Sequence, residues 1–304
     1  MYDSVFFWMD RVNISGGRPF EILPYLSEIT ERQNENGYSC TGKAGNYDVY
    51  IAENGISLKG SLAKSYFDGD NTATLTRRAS QNAVEKLSDL LHIDVRPSKV
   101  TRIDVATVIP TKRPPSDYYS YLGQKLYFKR LQYAPETLYY KNHQREIIFY
   151  DKAKEAKQIP EFVKSCNLFR YELRWLRRIN SQLKVEVSAK TLYDEMFYQT
   201  IVMRWYEEFQ SIQKINEQSF MTDKITTVKD AENALFAYLL QQSGQNTIDD
   251  FLNELRAKNT FRERPRYSEL KKKLHTIYEA RRGEKSDLIR ELDEAIYNIA
   301  KYCR

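Results

Sequence analysis

Leu168 to Trp175 reads LFRYELRW, and Val100 to Ala106 reads VTRIDVA. In an extended chain successive side chains point to opposite faces of a sheet. Arg170, Glu172 and Arg174 therefore share one face of a predicted strand, and Phe169, Tyr171, Leu173 and Trp175 take the other. The same alternation sets Arg102 and Asp104 against Ile103 and Val105. A third stretch, Ile147 to Lys152 (IIFYDK), places Tyr150 with Lys152 and turns Ile147 and Phe149 away from them. One apolar face and one polar face is the signature of an antiparallel sheet covered by helices on one side only. Laid side by side, the polar faces predict a groove lined by Asp104, Glu172, Tyr150 and several cations.

Working outward, the first half of the chain reads as strand, helix, meander and helix. Ser4 to Val12 is a predicted strand. A helix is predicted from Pro19 to Arg32, because proline is tolerated in a first helical turn and Phe20, Leu23, Leu26 and Ile29 recur at helical spacing. Gly37 to Thr41, Tyr47 to Glu53 and Ile56 to Lys59 read as a meander, with Asn54-Gly55 as a two-residue hairpin signal. Asn71 to Leu91 is a second predicted helix, with Leu75, Ala79, Ala83, Leu87 and Leu90 on one face. Further strands are expected at Val100 to Ile109, Lys125 to Gln132, Thr137 to Tyr140, Ile147 to Lys152 and Leu168 to Trp175.

From about Leu192 only helical periodicity remains: Tyr193 to Gln218, Val228 to Ser243, Ile248 to Ala257, Ser268 to Arg281 and Lys285 to Cys303, with loops at Met221 to Asp223, Gly244 and Gly283. The predicted fold is α+β. An antiparallel sheet domain with helices packed on one face, residues 1–190, precedes an all-helical domain, residues 191–304.

Composition narrows the function. The chain has 304 residues, 41% hydrophobic and 29% charged, which suits a folded globular protein. It contains no run of apolar residues long enough to span a bilayer, and its start, MYDSVFFWMDRVN, lacks an apolar stretch behind a basic one, so a cytoplasmic protein without membrane contact is expected. Cys40, Cys166 and Cys303 are odd in number and far apart, which argues against a disulfide framework or a zinc site. The three histidines form no His-hydrophobic-His motif, and there is no P-loop for ATP hydrolysis. The net charge of +6 is unevenly placed, with 19 Lys and Arg against 9 Asp and Glu between Lys99 and Lys190. That excess, interleaved with many of the 23 tyrosines, suits a phosphate backbone and stacked bases.

Two carboxylates on adjacent strands, Asp104 and Glu172, could hold a hard divalent cation through oxygen ligands, and such an ion polarises a phosphate. A tyrosine beside them could attack a phosphodiester if a metal or an ammonium such as that of Lys152 lowered its phenol pKa from about 10. On spacing alone, a carboxylate among cations is more often a structural salt bridge, and one tyrosine among 23 is more often core or surface.

Read in order, LKGSLAKSYFDGDN (Leu58 to Asn71), VTRIDVA, TLYYKNHQREIIFYDKAKE (Thr137 to Glu155) and LFRYELR resemble the gene II/X family of phage and plasmid rolling-circle replication initiators. The resemblance spans roughly residues 55 to 180. It implies a metal-dependent endonuclease that nicks one strand of the origin, becomes linked to the 5′ phosphate through tyrosine, and rejoins the ends. It places the nucleophile at Tyr150, its companion at Lys152, and metal-binding carboxylates at Asp104, Glu172 and Glu155, with Mg2+ (or Mn2+) as cofactor. DNA contacts are expected from Lys64, Arg102, Arg170 and Arg174. Tyr139 or Tyr140 is the alternative nucleophile, as the YDK motif also occurs in staphylococcal-type plasmid initiators with an upstream tyrosine. Implied partners are single-stranded and duplex origin DNA and host helicase and polymerase; the helical domain, which the resemblance does not reach, is a candidate for duplex binding through the cationic patches at Arg262, Arg264 and Arg266 and at Lys271 to Lys273. Two other readings fit the same residues: a nucleic-acid-binding or replication-regulatory protein that does not cut, and a metal-dependent nuclease that uses water.

Overall fold

The computed structural model describes residues 1–35, 37–133, 135–155, 166–215, 225–243, 247–280 and 286–303. The chain divides into two compact units. One comprises Met1–Ser116, Tyr127–Phe209 and Ala295–Arg304, and the other Asp117–Leu126 and Gln210–Glu294. The loops expected at Met221 to Asp223, Gly244 and Gly283 lie outside the described residues.

The first unit is built on a ten-stranded sheet. Its strands are β1 (Tyr2–Asp10), β2 (Ser27–Asn34), β3 (Gly37–Ala44), β4 (Tyr47–Ala52), β5 (Gly55–Ser61), β6 (Lys99–Thr111), β7 (Lys129–Tyr133), β8 (Thr137–Lys141), β9 (Arg145–Asp151) and β10 (Asn167–Trp175). The order is β2-β3-β4-β5-β1-β6-β10-β9-β8-β7, and every neighbouring pair is antiparallel. Two meanders thus flank a centre made of β1, β6 and β10.

Helices α1 (Leu62–Tyr66), α2 (Arg77–Leu91) and α3 (Glu195–Gln210) belong to this unit. Alternation decides which sheet face meets them. Phe149, Phe169, Tyr171 and Leu173 are fully buried, as are Ala83, Val84, Leu87 and Leu91 of α2 and Ile201, Trp205 and Phe209 of α3. Tyr171 stacks on Trp205 with ring centroids 4.6 Å apart, and its hydroxyl donates to the Trp205 carbonyl at 2.7 Å. The sequence division at 190/191 falls ahead of α3, whose aromatic side chains are part of the core beneath the sheet. In the second unit, α4 (Val228–Ser243), α5 (Thr247–Ala257) and α6 (Arg264–Ala280) surround Leu240, Ile248, Leu252 and Leu274.

Several predicted elements differ. Pro19 to Arg32 is not one α-helix: a 3-10 helix spans Pro19–Tyr25, and β2 follows. Pro24 explains the change, since it has no amide hydrogen and its ring obstructs a helix interior. The second predicted helix begins at Arg77 rather than Asn71, where the Thr76 hydroxyl caps it by accepting from the Ala79 amide at 3.2 Å. Leu90 is exposed and Leu91 takes its expected place in the core. The β4–β5 hairpin turns at Glu53 and Asn54, one residue earlier than expected. Gly55 instead opens β5 at φ 156°, where β1 passes so close that a Cβ would strike the Met9 carbonyl. The strand expected from Lys125 begins at Lys129. The strand expected to run through Lys152 ends at Asp151, whose carboxylate accepts from the Ala153 amide at 3.0 Å and starts the single turn Lys152–Glu155.

The Tyr171–Trp205 contact ties α3 to the sheet. Trp205→Ala is expected to destabilise the first unit by about 3–5 kcal/mol through the cavity it leaves, and Tyr171→Phe by about 1 kcal/mol through loss of one buried hydrogen bond. Denaturant unfolding monitored by circular dichroism measures both, and equal losses in the two variants would contradict this division of roles.

Candidate functional site on the open sheet face

The sheet face opposite the helices carries the polar residues that the alternation singled out. Register brings them into rows: Arg174 lies across from Asp104 on β6 and Glu146 on β9, while Arg170 lies across from Tyr150 on β9. Asp104, Glu172 and Arg170 are almost wholly buried despite facing this side, at 1%, 2% and 1% exposure. Burying charges without compensation is costly, so the geometry of their pairing matters.

Each acid has an arginine. Arg102 donates to both Asp104 oxygens, through Nε at 2.8 Å and Nη2 at 2.7 Å. The Arg174 Nε donates to Glu172 at 2.6 Å and lies 3.7 Å from Asp104, and its Nη1 lies 3.5 Å from Glu146. Arg170 donates through Nη2 to Asp3 at 2.7 Å and through Nη1 to the Asn71 carbonyl at 2.8 Å. Its Nε, 3.7 Å from Glu172, has no hydrogen-bond partner.

Asp3 was not foreseen, and the reason is a bulge. Tyr2 pairs with Val105 and Val5 with Ile103, so Asp3 and Ser4 together stand against the single residue Asp104. A bulge of this kind re-aims a side chain, and here Asp3 reaches the open-face cluster. Two consecutive polar residues in the otherwise alternating YDSVFFWMD are the signal that could have revealed it. Ser61 and Asn71 each donate to the Asp3 carboxylate at 3.1 Å. Within GSLAK, then, Ser61 is the residue that reaches the cluster. Lys64 sits in α1, where its amide donates to the Ser61 hydroxyl.

Tyr150 is half-buried beside this cluster, with the Arg170 guanidinium 5.9 Å from its ring centroid. Burial raises its phenol pKa; Arg170 opposes the rise, and the carboxylates of Glu172, Glu155 and Asp3 add to it. Lys152 is buried and pairs with Glu155, and it is close enough to favour ionisation of Asp3. Of the tyrosines named as alternatives, Tyr139 shares the open face and lines a recess with Tyr150, whereas Tyr140 is fully buried on the helix side in an edge-on contact with Phe149. The structure therefore gathers Asp3, Asp104, Glu172, Arg102, Arg170 and Arg174, with Tyr150 against Arg170, while Glu155 pairs with Lys152 and lines the recess beside Tyr150. Among the described residues no group of three or more His, Cys, Asp or Glu is arranged to hold a metal.

Residues 1–194 match the family of phage replication-associated proteins of the gene II type, over its N-terminal region. The chain belongs to this family. A comparison with curated proteins finds no match. The family match begins with β1 and ends at the 3-10 turn Ala189–Tyr193, so it contains every residue of the cluster. The assignment to a phage replication-associated family agrees with the resemblance found from the four motifs. Among the described residues no helix is long and apolar enough to cross a membrane.

Two ionisations in the cluster are opposed. Burial pushes the Asp104 carboxyl up to about 7, with Arg102 pulling it down and Glu172 pushing it further up. Burial also disfavours ionised Asp3, but Arg170 and the two hydrogen bonds outweigh it and hold that carboxyl below its usual value. Asp104 accordingly takes up a proton on folding. Its contribution to stability is complete below its unfolded value of about 3.9 and is lost as pH rises through 7. In carbon-detected NMR, the Asp104 carboxyl is expected to titrate near neutrality, with Glu172→Gln moving the midpoint down and Arg102→Gln moving it up. A midpoint in the ordinary carboxylate range for the unmodified protein would refute this account.

Proposed function

We propose that this member of the phage replication-associated family initiates rolling-circle replication by nicking one strand of its origin, with Tyr150 as nucleophile. The observation that carries the reading is the position of Tyr150 on the open face, against Arg170 and within reach of the Glu172 carboxylate's field, on the same face as Asp104. In the proposed step the Tyr150 oxygen bonds to phosphorus, the bond to the 3′ oxygen breaks, and the phenol proton leaves to solvent or a neighbouring base. The protein keeps the 5′ phosphate and releases a 3′ hydroxyl. Rejoining reverses the exchange, with a 3′ hydroxyl displacing tyrosine. The free 3′ end would serve a host polymerase, and the displaced strand a host helicase.

Arg170 and Arg174 border the position where negative charge develops on the phosphate, and preorganised cations there stabilise the transition state. A raised phenol pKa opposes the attack, so further positive charge is needed beside Tyr150. The residues fit a divalent cation in one respect: Asp104 and Glu172 are like charges in one cluster, and Glu172 adds to the burial that drives Asp104 toward protonation. Magnesium commonly takes one or two carboxylates together with phosphate oxygens and water. Asp104 and Glu172 would hold Mg2+ or Mn2+, at the expense of Arg102 or Arg174 hydrogen bonds. When bound, such an ion would polarise the phosphate and lower the phenol pKa.

Incubation with single-stranded DNA of the protein's own origin and magnesium is expected to yield a denaturation-resistant protein–DNA adduct. Tyr150→Phe abolishes it while leaving DNA affinity within about twofold, because only a hydroxyl is lost. An adduct that persists in Tyr150→Phe and vanishes in Tyr139→Phe would move the nucleophile to β8. Cleavage without an adduct would favour water as the nucleophile, and binding without cleavage a non-catalytic protein. Asp104→Asn and Glu172→Gln are expected to slow adduct formation by at least about a hundredfold, with partial recovery at raised magnesium, as for weakened metal ligands. Unchanged magnesium dependence in both would remove them from that role.

A further inference from the structure

The open face continues beyond Tyr150 to the edge of the sheet, and its composition changes there. Register across β9, β8 and β7 sets Tyr150, Thr137 and Tyr133 in one row and Ile148, Tyr139 and Leu131 in the next. A third row holds Glu146, Lys141 and Lys129. Residues of opposite parity, Leu138, Tyr140, Ile147 and Phe149, are fully buried, so these rows all face outward. With strands about 4.8 Å apart, the face extends about 10 Å outward from Tyr150.

This face offers aromatic surface and positive charge together. Tyr133 is 61% exposed and meets Tyr139 edge-on, with centroids 5.6 Å apart. The Lys141 ammonium sits 4.2 Å from the Tyr139 ring centroid and 3.2 Å from the Glu146 carboxylate, whereas Lys129 in the same row is exposed. A recess of about 360 Å³ joins the two strands, where Tyr139, Ile148 and Tyr150 stand with Lys154 and Arg174 and with the carboxylates of Glu136, Asp151 and Glu155. On the opposite flank of the acid–arginine cluster Tyr50 of β4 is also exposed, at 42%, but the two aromatic side chains of β1 nearest the cluster are engaged. The Phe6 ring lies 4.8 Å from the Arg102 guanidinium, and the Trp8 indole donates to Asp10 at 2.7 Å.

We propose that the β9–β8–β7 face is a binding subsite for a single DNA strand, in which Tyr139 and Tyr133 stack on the bases flanking the phosphate at Tyr150 and Lys141 and Lys129 contact the backbone. The proposal rests on the reading of Tyr150 as nucleophile and adds the path of the substrate to it. Stacking on tyrosine requires an unpaired base, since in a duplex both faces of each base are occupied. It is tolerant of sequence because every base has a π-face. Aliphatic side chains on this face are few: Ile148 is buried, and Leu131 is flanked by Tyr133 and Lys129. Such a surface suits a charged polymer with aromatic side groups better than an apolar protein partner.

The test uses the full-length protein and two probes, a labelled dT oligonucleotide and an abasic deoxyribose-phosphate strand of equal length. Tyr139→Ala and Tyr133→Ala are each expected to weaken dT binding by about tenfold, the order found for loss of one base–aromatic stack. Both leave the abasic strand unaffected, and Tyr139→Phe, which keeps the ring, binds dT like the unmodified protein. Unchanged dT affinity in both alanine variants, or equal losses on the abasic strand, overturns the proposal. Cross-linking of the unmodified protein to an iodouracil-containing strand is independent of whether any variant folds. Adducts in the peptide spanning residues 129–141 are expected, and their absence there also overturns the proposal. Failure of the nucleophile reading shows separately, as normal dT binding and cross-linking without a Tyr150 adduct.

Discussion

Arg170 is a fully ionised side chain at the centre of a ten-stranded sheet with 1% of its surface exposed. A guanidinium held out of water in this way needs acceptors from more than one direction. They come from distant parts of the chain: Asp3 on β1 and the Asn71 carbonyl in the segment ahead of α2, with the Glu172 carboxylate of its own strand nearby. Satisfying one arginine therefore fixes the start of β1, the approach to α2 and the centre of β10 relative to one another. The planar fork suits this arrangement because its donors point in fixed directions, which a lysine could not reproduce.

The bulge in β1 follows from the same demand. In unbroken alternation with Tyr2 and Val5 both directed into the core, an extra residue must lie between them. Asp3 and Ser4 supply it, and Asp3 thereby reaches Arg170 from the adjacent half of the sheet. Ser61 and Asn71 then donate to the same carboxylate, so the end of β5 and the segment before α2 are drawn in as well. The helices contribute indirectly. They seal the apolar face, and Trp205 and Phe209 close the core beneath Tyr171 and Phe149.

What could be read from the sequence was what obeys a short period. The faces of β6, β9 and β10 follow from simple alternation, so the inward and outward residues of LFRYELRW and VTRIDVA are legible, and with them the placing of Asp104 and Glu172 on one face of adjacent strands. Features set by a single residue were less so. Pro24 stops an α-helix that the spacing of Phe20, Leu23, Leu26 and Ile29 otherwise favours. Thr76 decides the start of α2, which frees Asn71 for the cluster. Asp151 ends β9 one residue early and turns Lys152 into a helical turn with Glu155. Least legible was Asp3, since a bulge depends on the partner strand's register, which no local pattern contains. The family motifs compensated in part, because they mark which polar residues matter without saying how they meet.

The pairing of charges within the cluster has a consequence for how DNA is held. Three carboxylates, Asp3, Asp104 and Glu172, are matched by Arg102, Arg170 and Arg174, so the centre of the face is close to neutral. A neutral centre gives little long-range attraction for a polyanion. Yet the stretch from Lys99 to Lys190 has ten more basic than acidic residues. Most of that excess lies outside the cluster, and among the described residues Lys129 on β7 places part of it on the face that Tyr150 shares, where Lys141 pairs with Glu146 at 3.2 Å and Lys154 lies 4.0 Å from Asp151. Attraction and chemistry are therefore separated in space. On the proposed reading the outer strands would draw and orient the backbone through screened surface charge, whereas the buried cluster would act only at close range, where few water molecules remain to weaken it.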